Sequence, residues 1–214
     1  MKPLTLALVL SVVSLSANAQ TIYTSRTTYN LAHASNYVID FNNYTPGPTQ
    51  YAFVTASTPS GDVTFDAIPS SGNIEFLGNS NFSFLGPNNL ALYAFNGQFL
   101  TDSLSIALPA NTFTFGLDLI SPSATVAEPY QLTVFSGNTT LATIASPSVN
   151  NGYTFVGFDS LSSPITSVTL QIANAVGNPQ PTIDNFTVVP EPSSWLCLVT
   201  GGVILLTLQR RRVC

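Results

Sequence analysis

The sequence predicts an all-β protein whose main part is a single antiparallel β-sandwich, jelly-roll-like or, as a second choice, built on a different Greek key. Apolar and polar residues alternate along most of the chain, a pattern typical of half-buried strands. Clusters of Gly, Pro, Asn and Ser separate these stretches at short intervals, and no long amphipathic helical pattern interrupts them. The order of the strands does not follow from these patterns.

The N-terminal segment, residues 1–19, has the organisation of a secretory signal peptide. Met1 and Lys2 make a positive start, residues 4–15 form an apolar stretch, and Ala17 and Ala19 fit the small-x-small pattern of a cleavage site before Gln20. A retained membrane helix is the alternative, but the apolar stretch is too short for one. We therefore expect an exported protein.

The central segment, residues 20–189, has the length of one domain with a substantial core. Arg26 is the only Lys or Arg of this segment, which also contains nine acidic residues. The net charge of the segment is therefore −8 with His33 neutral. Such a charge repels nucleic acid and anionic lipid, and we expect neither as a partner. Both cysteines lie beyond residue 190, so no disulfide is expected to stabilise this segment.

One short helix is expected near the start of this domain, over about residues 26–34, with Ser25 placed to cap it. Alternation then predicts strands around four apolar sets: Val63 and Phe65; Phe113, Phe115, Leu117 and Leu119; Tyr130, Leu132 and Val134; Val168, Leu170 and Ile172. Two dipeptides, Asn96-Gly97 and Asn151-Gly152, are the best candidates for tight hairpins.

The usual catalytic constellations are missing from the sequence. His33 is the only histidine, and residues 20–189 contain no cysteine, which argues against a cysteine–histidine pair and against a histidine-based zinc site. No Gly-rich phosphate loop or nucleotide fingerprint is found. His33 is interpreted as a surface or helix-packing residue, and the protein is predicted not to be an enzyme.

Two glycan-related functions stay open. Glycosidases need a pair of carboxylates, and nine acids allow many pairs, so a secreted polysaccharide hydrolase or lyase is the alternative function. Sugar binding is better supported, because polar sandwiches that carry aromatic residues often serve it. The only tryptophan is Trp195, near the C-terminus, so Tyr44, Tyr51 or Tyr93 would have to supply the stacking surfaces.

A calcium site is a further hypothesis. Alternation in residues 182–188 places Asp184 on the same strand face as Phe186 and Val188, and a carboxylate on an apolar face needs a partner. We hypothesise a structural Ca²⁺ held by Asp184 and Asp40, with backbone carbonyls completing the shell; a calcium-dependent carbohydrate-binding module is the corresponding function. The alternative is that Ile183 and Asn185 mark the buried face, or that Asp184 lies at a strand end in water.

The C-terminal segment, residues 190–214, combines four features in order. Pro190, Glu191 and Pro192 form a stiff, extended spacer. An uncharged apolar run at residues 195–208 follows, and as a helix it would be ~21 Å long, short of the ~30 Å hydrocarbon core. Three consecutive arginines then precede the chain end and mark the cytoplasmic side of a membrane; they are Arg210, Arg211 and Arg212.

This order of features resembles the PEP-CTERM sorting signal of envelope proteins in Gram-negative bacteria. The resemblance implies transient anchoring in the inner membrane, processing by an exosortase at or near Pro190–Pro192, and release or transfer to the cell surface. It also implies an association with exopolysaccharide. The central segment resembles, more loosely, the domains often attached to such tails, through its short helix with Tyr29 and its Val38-Ile-Asp-Phe41 stretch.

The sequence therefore predicts an exported envelope or extracellular-matrix protein, without enzymatic activity and without a resident cofactor apart from the hypothetical calcium. Its expected partners are signal peptidase and the secretion machinery, an exosortase, the membrane before processing, and exopolysaccharide. Its expected domains are the signal peptide at 1–19, the sandwich at 20–189 and the sorting signal at 190–214.

Overall fold

The computed structural model describes residues 20–68, 72–78, 85, 89–95, 103–120, 129–146, 152–173 and 180–189. These residues form two antiparallel β-sheets packed face to face, with one short helix on the outer side of the larger sheet. The prediction of an all-β sandwich is confirmed. The predicted signal peptide and sorting signal fall outside the described residues.

The larger sheet has eight strands. Seven of them follow one another in the order β1 (Gln20–Tyr23), β12 (Tyr153–Ser160), β9 (Thr114–Ile120), β14 (Thr182–Val188), β7 (Ala91–Phe95), β6 (Asn73–Leu77) and β3 (Gly47–Tyr51). The eighth, β2 (Tyr37–Ile39), pairs with the second half of β14, whereas β7 pairs with its first half.

The smaller sheet has six strands, in the order β11 (Thr139–Ala145), β10 (Tyr130–Ser136), β13 (Ser167–Ile172), β8 (Ser103–Ala107), β5 (Gly61–Ile68) and β4 (Phe53–Thr58). All four predicted apolar sets lie on strands or directly beside one, as alternation predicted. Apart from three hairpins, the chain between β3 and β14 passes from one sheet to the other at each connection between strands, so the core forms between distant parts of the sequence.

Tight turns occur at two of the Gly-containing clusters. In β4–β5 residue Thr58 pairs with Gly61, and in β10–β11 Ser136 pairs with Thr139, which leaves two-residue loops. Gly61 and Gly137 adopt positive φ values of 123° and 57°, which a glycine tolerates without strain. The predicted hairpin at Asn151-Gly152 is wrong, because β11 and β12, on either side of it, belong to different sheets.

The other hairpin candidate, Asn96-Gly97, falls outside the described residues. The strands on either side of it, β7 and β8, also belong to different sheets, so it does not join two paired neighbours. Asn-Gly indicates a reversal of the chain but carries no information about which sheet the next strand joins.

The core lies between the sheets and is rich in aromatic side chains. Phe186 of β14 makes an edge-to-face contact with Phe65 of β5 at 5.4 Å and stacks on Phe115 of β9 at 6.2 Å. All three are fully buried, and each buried Phe stabilises the fold by roughly 1.5–3 kcal/mol relative to an exposed one. This aromatic packing stabilises the described part of the domain, which contains no cysteine and therefore no disulfide.

Helix α1 (Arg26–Ala32) ends two residues before the predicted position. Ser25 is its N-cap residue, but the Ser25 side chain makes no capping hydrogen bond; instead the Thr28 hydroxyl donates to the Ser25 carbonyl at 2.9 Å. The helix lies over Gly116 and Gly157, which are paired on neighbouring strands. A Cβ at Gly157 would stand 2.6 Å from the Tyr29 ring, so these glycines make the room in which Tyr29 is buried.

In the part of the chain that the structure describes, no helix has the length and hydrophobicity of a membrane span.

Candidate functional site

A groove with a volume of about 250 Å³ opens at one side of the sandwich, between β2 with the loop that follows it and the outermost strand β4. We call it the edge groove. Polar and aromatic side chains dominate its lining: Tyr37, Asp40, Asn43, Tyr44, Thr55 and Ser57. In the described residues β4 pairs with β5 alone and β2 with β14 alone, so each presents an unpaired strand edge at the groove.

Tyr44 is held rigidly in the wall of the edge groove. Its ring stacks on Phe76 at 4.2 Å with an angle of 14° between the planes, and Tyr51 packs edge-on against both rings. The Tyr44 hydroxyl donates to the Thr55 carbonyl at 3.4 Å. Burial, and secondly the neighbouring Tyr51, raise the pKa of Tyr44 above the ordinary value of a tyrosine.

Of the three tyrosines predicted as stacking surfaces, Tyr44 lines the groove and Tyr51 supports it from behind. Tyr93 lies elsewhere: on β7 it alternates with the core residues Leu92 and Ala94, so it is on the outer face of the larger sheet. Tyr37, which is 39% exposed, also lines the groove and was not predicted from the sequence. No local pattern marks it, because the groove forms between strands of different sheets.

The polar groups of the groove are set by a turn after β2. The Asp40 carboxylate accepts a hydrogen bond from the Asn42 backbone N–H at 3.3 Å, and the Asn42 side chain accepts one from the Leu90 N–H at 2.9 Å. Phe41, between them, has a positive φ of 54° and a buried ring. Asn43 is left exposed beside Tyr44, and across the groove the Ser57 hydroxyl donates to Asp62 at 2.8 Å.

Asp184 does not share a face with Phe186 and Val188, so that prediction is wrong. A β-bulge between Asp184 and Thr187, with Asn185 at a positive φ of 47°, shifts the register of β14. Ile183, Phe186 and Val188 all join the core as a result. Asp184 pairs directly with Asp118 on the outer face of the larger sheet, where it is nevertheless only 3% exposed.

Arg26 of α1 neutralises this outer-face acidic pair on one side. Its guanidinium lies 2.9 Å from Asp118, donates to the Asn185 carbonyl at 3.0 Å and to the Thr187 hydroxyl at 3.2 Å. The Asn185 amide also donates to Asp118 at 2.9 Å. The Arg26 guanidinium stands 4.7 Å above the Phe155 ring, a cation–π distance.

Asp184 itself receives one backbone hydrogen bond, from Asn185 at 2.6 Å. Burial is the main cause that raises its pKa, to about 7; the Asn185 hydrogen bond opposes this, and the charges of Asp118 and Asp40 add to it. The two paired acids therefore differ in their surroundings: Asp118 is bound to Arg26, whereas Asp184 is poorly solvated and takes up a proton more readily than an exposed carboxyl group.

The two predicted calcium ligands lie within electrostatic reach of each other, since the charge of Asp40 contributes to the raised pKa of Asp184. Asp40 is exposed, whereas Asp184 is buried. Within the described ranges, no three or more His, Cys, Asp or Glu side chains are grouped as ligands of one metal ion. The calcium site stays a hypothesis that depends on backbone oxygens for most of its shell.

His33 helps to pack the helix against the larger sheet, which is one of the two interpretations offered from the sequence. Its Nε2 lies 3.0 and 3.1 Å from the two carboxylate oxygens of Asp159, and the Tyr23 hydroxyl donates to Asp159 at 2.8 Å. The rings of Tyr23, Tyr29 and His33 contact one another. This cluster fastens α1 and β1 to β12, which is a structural role.

The comparisons with known proteins give structural likenesses alone. No family model matches the chain, and no curated protein sequence matches it. The K2 cleaved adhesin domain of Lys-gingipain is 9% identical, with 72% of this chain and 99% of that chain covered and a TM-score of 0.47. The C-terminal family 22 carbohydrate-binding module of Clostridium thermocellum Xyn10B is 13% identical, with 73% and 94% covered and a TM-score of 0.42.

A xylan-binding domain of Paenibacillus barcinonensis Xyn10C is similar at a comparable level, with 12% identity, 68% of this chain and 97% of that chain covered, and a TM-score of 0.39. The structural neighbours thus include several carbohydrate-binding modules. At these identities and TM-scores the likenesses transfer neither residues nor a function to this chain.

Proposed function

We propose that this protein is an exported envelope or matrix protein whose jelly-roll-like domain binds a glycan, such as exopolysaccharide, in the edge groove without cleaving it. The observation that carries the proposal is the composition of the groove. It combines two tyrosines, one of them fixed by stacking, with an amide, two hydroxyls and a carboxylate. Sugars present both apolar C–H faces and hydroxyl groups, so they are recognised by this combination of aromatic and hydrogen-bonding side chains.

The volume of the groove limits how much of a glycan it can hold. Its volume of about 250 Å³ lies just below the range of roughly 300–1,000 Å³ that is usual for small-molecule sites. A short stretch of polysaccharide would occupy it, with Tyr37 and Tyr44 contacting sugar rings.

A glycan array followed by calorimetric titration of the full-length protein in detergent tests the proposal. Tyr37→Ala is expected to weaken binding of the selected oligosaccharide about three- to tenfold, the usual value of one aromatic contact. Tyr153→Ala is the matched control, because Tyr153 is 43% exposed against 39% for Tyr37 and lies outside the groove. Equal losses in the two variants, or no binding to any glycan, would refute the proposal.

A secreted polysaccharide hydrolase or lyase is the competing function, and Asp118 with Asp184 is the pair of acids that would be tested for it. Asp118 and Asp184 lie directly opposite each other on neighbouring strands, and burial raises the pKa of Asp184 to about 7. Release of reducing ends from the bound glycan, abolished by Asp184→Asn, would favour the enzyme over the binding protein.

We also propose that the C-terminal segment sorts the protein to the cell surface. The support is the order of Pro190-Glu191-Pro192, the apolar run and the three arginines, together with the signal peptide ending at Ala17 and Ala19. The protein would be held briefly in the inner membrane and then cleaved by an exosortase. The intact mass of the protein from native cells should lack Arg210, Arg211 and Arg212, and Glu191→Gln should leave it uncleaved. A mature protein that keeps its arginines would contradict this proposal.

A further inference from the structure

The single cation of residues 20–189 is not available to a ligand. Arg26 binds Asp118, the Asn185 carbonyl and Thr187, and its guanidinium covers the Phe155 ring. All of these contacts lie at the outer face of the larger sheet, and Arg26 is not among the residues that line the edge groove. Arg26 is also needed there, because without it Asp118 and Asp184 would face each other uncompensated.

The edge groove itself carries negative charge only. None of the described residues that line it is basic, and Asp40 among them is exposed. A second carboxylate, Asp62, accepts the hydrogen bond of the lining residue Ser57. The charges of Asp40 and Asp62 therefore act on any ligand in the groove, against a background of −8 for residues 20–189 with His33 neutral.

We propose that the edge groove selects a glycan by charge, taking sugars that carry free amino groups in preference to their N-acetylated forms and rejecting uronic acids. The inference rests on the proposed glycan-binding function and adds the class of sugar. An ammonium group on the ligand would be attracted by the charges of Asp40 and Asp62. An acetamide is uncharged and would gain no such attraction. A carboxylate would be repelled, because no arginine or lysine among the described residues lines the groove to compensate it.

Three oligosaccharides of equal length test the selection: a β-1,4-linked glucosamine oligomer, its N-acetylated counterpart and a galacturonic acid oligomer. Each is titrated into the full-length protein in detergent with EGTA, at low and at physiological ionic strength. We expect the amine to bind about threefold more tightly than the acetamide at low salt, which is the scale of an exposed ion pair, and the difference to shrink as salt rises. The uronate is expected to bind most weakly.

Two charge-matched double variants assign the effect to the groove. In Asp40→Asn with Asp62→Asn the amide oxygens still accept the hydrogen bonds of Asn42 and Ser57. This variant should lose the preference for the amine and keep its affinity for the N-acetylated oligomer within about twofold, a difference of no more than about 0.4 kcal/mol. The control, Asp66→Asn with Glu75→Gln, removes two charges outside the groove and should keep the preference.

The outcomes separate the inference from the function it rests on. Uronate binding as tight as that of the amine would overturn the charge selection and leave glycan binding standing. A preference lost equally in both double variants would overturn the assignment to Asp40 and Asp62, since the overall charge would then explain it. Failure of all three oligomers and of the glycan array would overturn the proposed function together with the inference.

Discussion

Asp184 shows how one residue's environment can depend on a single backbone irregularity. The bulge at Asn185 turns Asp184 to the outer face, opposite Asp118, and the surrounding side chains then exclude water from it. Perfect alternation would have placed its carboxylate among Phe186 and Val188 in the core, where an unpaired charge costs several kcal/mol. Burial on the outer face costs less, and the group responds by taking up a proton more readily.

The stability of the protein is therefore expected to depend on pH through Asp184. Because burial raises its pKa from 3.8 to about 7, the folded protein keeps a proton that the unfolded chain releases. The contribution of Asp184 to stability is fully present below about pH 4, where the group is protonated in both states. It is lost as pH rises to about 7, so the free energy of unfolding should fall over this range. Asp184→Asn should remove this fall and stabilise the protein at pH 8 by up to about 4 kcal/mol.

Urea denaturation at a series of pH values, in EGTA, measures the difference between wild type and Asp184→Asn. Other carboxylates titrate in both proteins, so only the difference between the two curves reports Asp184. Parallel curves from pH 4 to pH 8 would contradict the raised pKa.

Removing the buried hydroxyl of Tyr29 and removing that of Tyr130 should have different effects on the free energy of unfolding. In the described residues the Tyr29 hydroxyl is buried without a hydrogen-bond partner, whereas the Tyr130 hydroxyl donates to the Ile120 carbonyl. Tyr29→Phe should leave the free energy of unfolding unchanged or raise it by about 1 kcal/mol, and Tyr130→Phe should lower it by about 1–2 kcal/mol. Calorimetric melting of the two variants compares them directly, and a large loss in Tyr29→Phe would show that its hydroxyl is satisfied in solution.

Helix α1 is the element whose position depends most on side-chain contacts. With only seven residues it is too short to be stable alone, and its N-cap side chain makes no hydrogen bond. Tyr29 in the space over Gly157, Arg26 at Asp118 and His33 at Asp159 together hold it on the sheet. The helix with its C-cap residue therefore contributes one residue to each of two side-chain pairs on the outer face, Arg26–Asp118 and His33–Asp159.

Arg26→Met should loosen α1 and lower the free energy of unfolding by about 1–3 kcal/mol, because it leaves the poorly exposed Asp118 with only the Asn185 amide. Amide hydrogen exchange across residues 26–32 should accelerate more than exchange in the core strands. Thr27→Met is the control, since Thr27 lies on the same helix and is exposed. If both variants behaved alike, the Arg26 contacts would not be what holds the helix.

At the scale of the whole molecule, the described domain combines an aromatic core with a strongly negative net charge. Phe65, Phe115 and Phe186 connect the two sheets, while Arg26 alone opposes nine acids in residues 20–189. Like-charge repulsion destabilises a compact state at low ionic strength, so the core must compensate for it. A bound divalent cation would relieve part of this repulsion.

The calcium hypothesis predicts that EGTA lowers the melting temperature of the metal-loaded protein by a few degrees, the shift expected for about 1 kcal/mol in a domain of this size. Elemental analysis of the purified protein should then find calcium, and Asp40→Asn should abolish the EGTA effect. An unchanged melting temperature on chelation, with no calcium in the protein, would remove Asp40 and Asp184 as metal ligands.

The amino-acid sequence by itself determined the all-β class, the position of the one described helix, most of the predicted strands and the charge of the domain. These follow from alternation, turn residues and composition, which act over a few neighbouring positions. The sequence also indicated Tyr44, but only as one of three tyrosines, and it led to wrong conclusions about the face of Asp184 and the hairpin at Asn151-Gly152.

Only the tertiary structure decided which residues meet. Arg26 and Asp118 are 92 positions apart, His33 and Asp159 are 126 apart, and the edge groove joins β2 to a strand of the other sheet. Such meetings depend on strand order and on the bulge in β14, which arise from the packing of the whole core. Since no local pattern encodes that packing, the groove and its charge became visible only once the two sheets were in place.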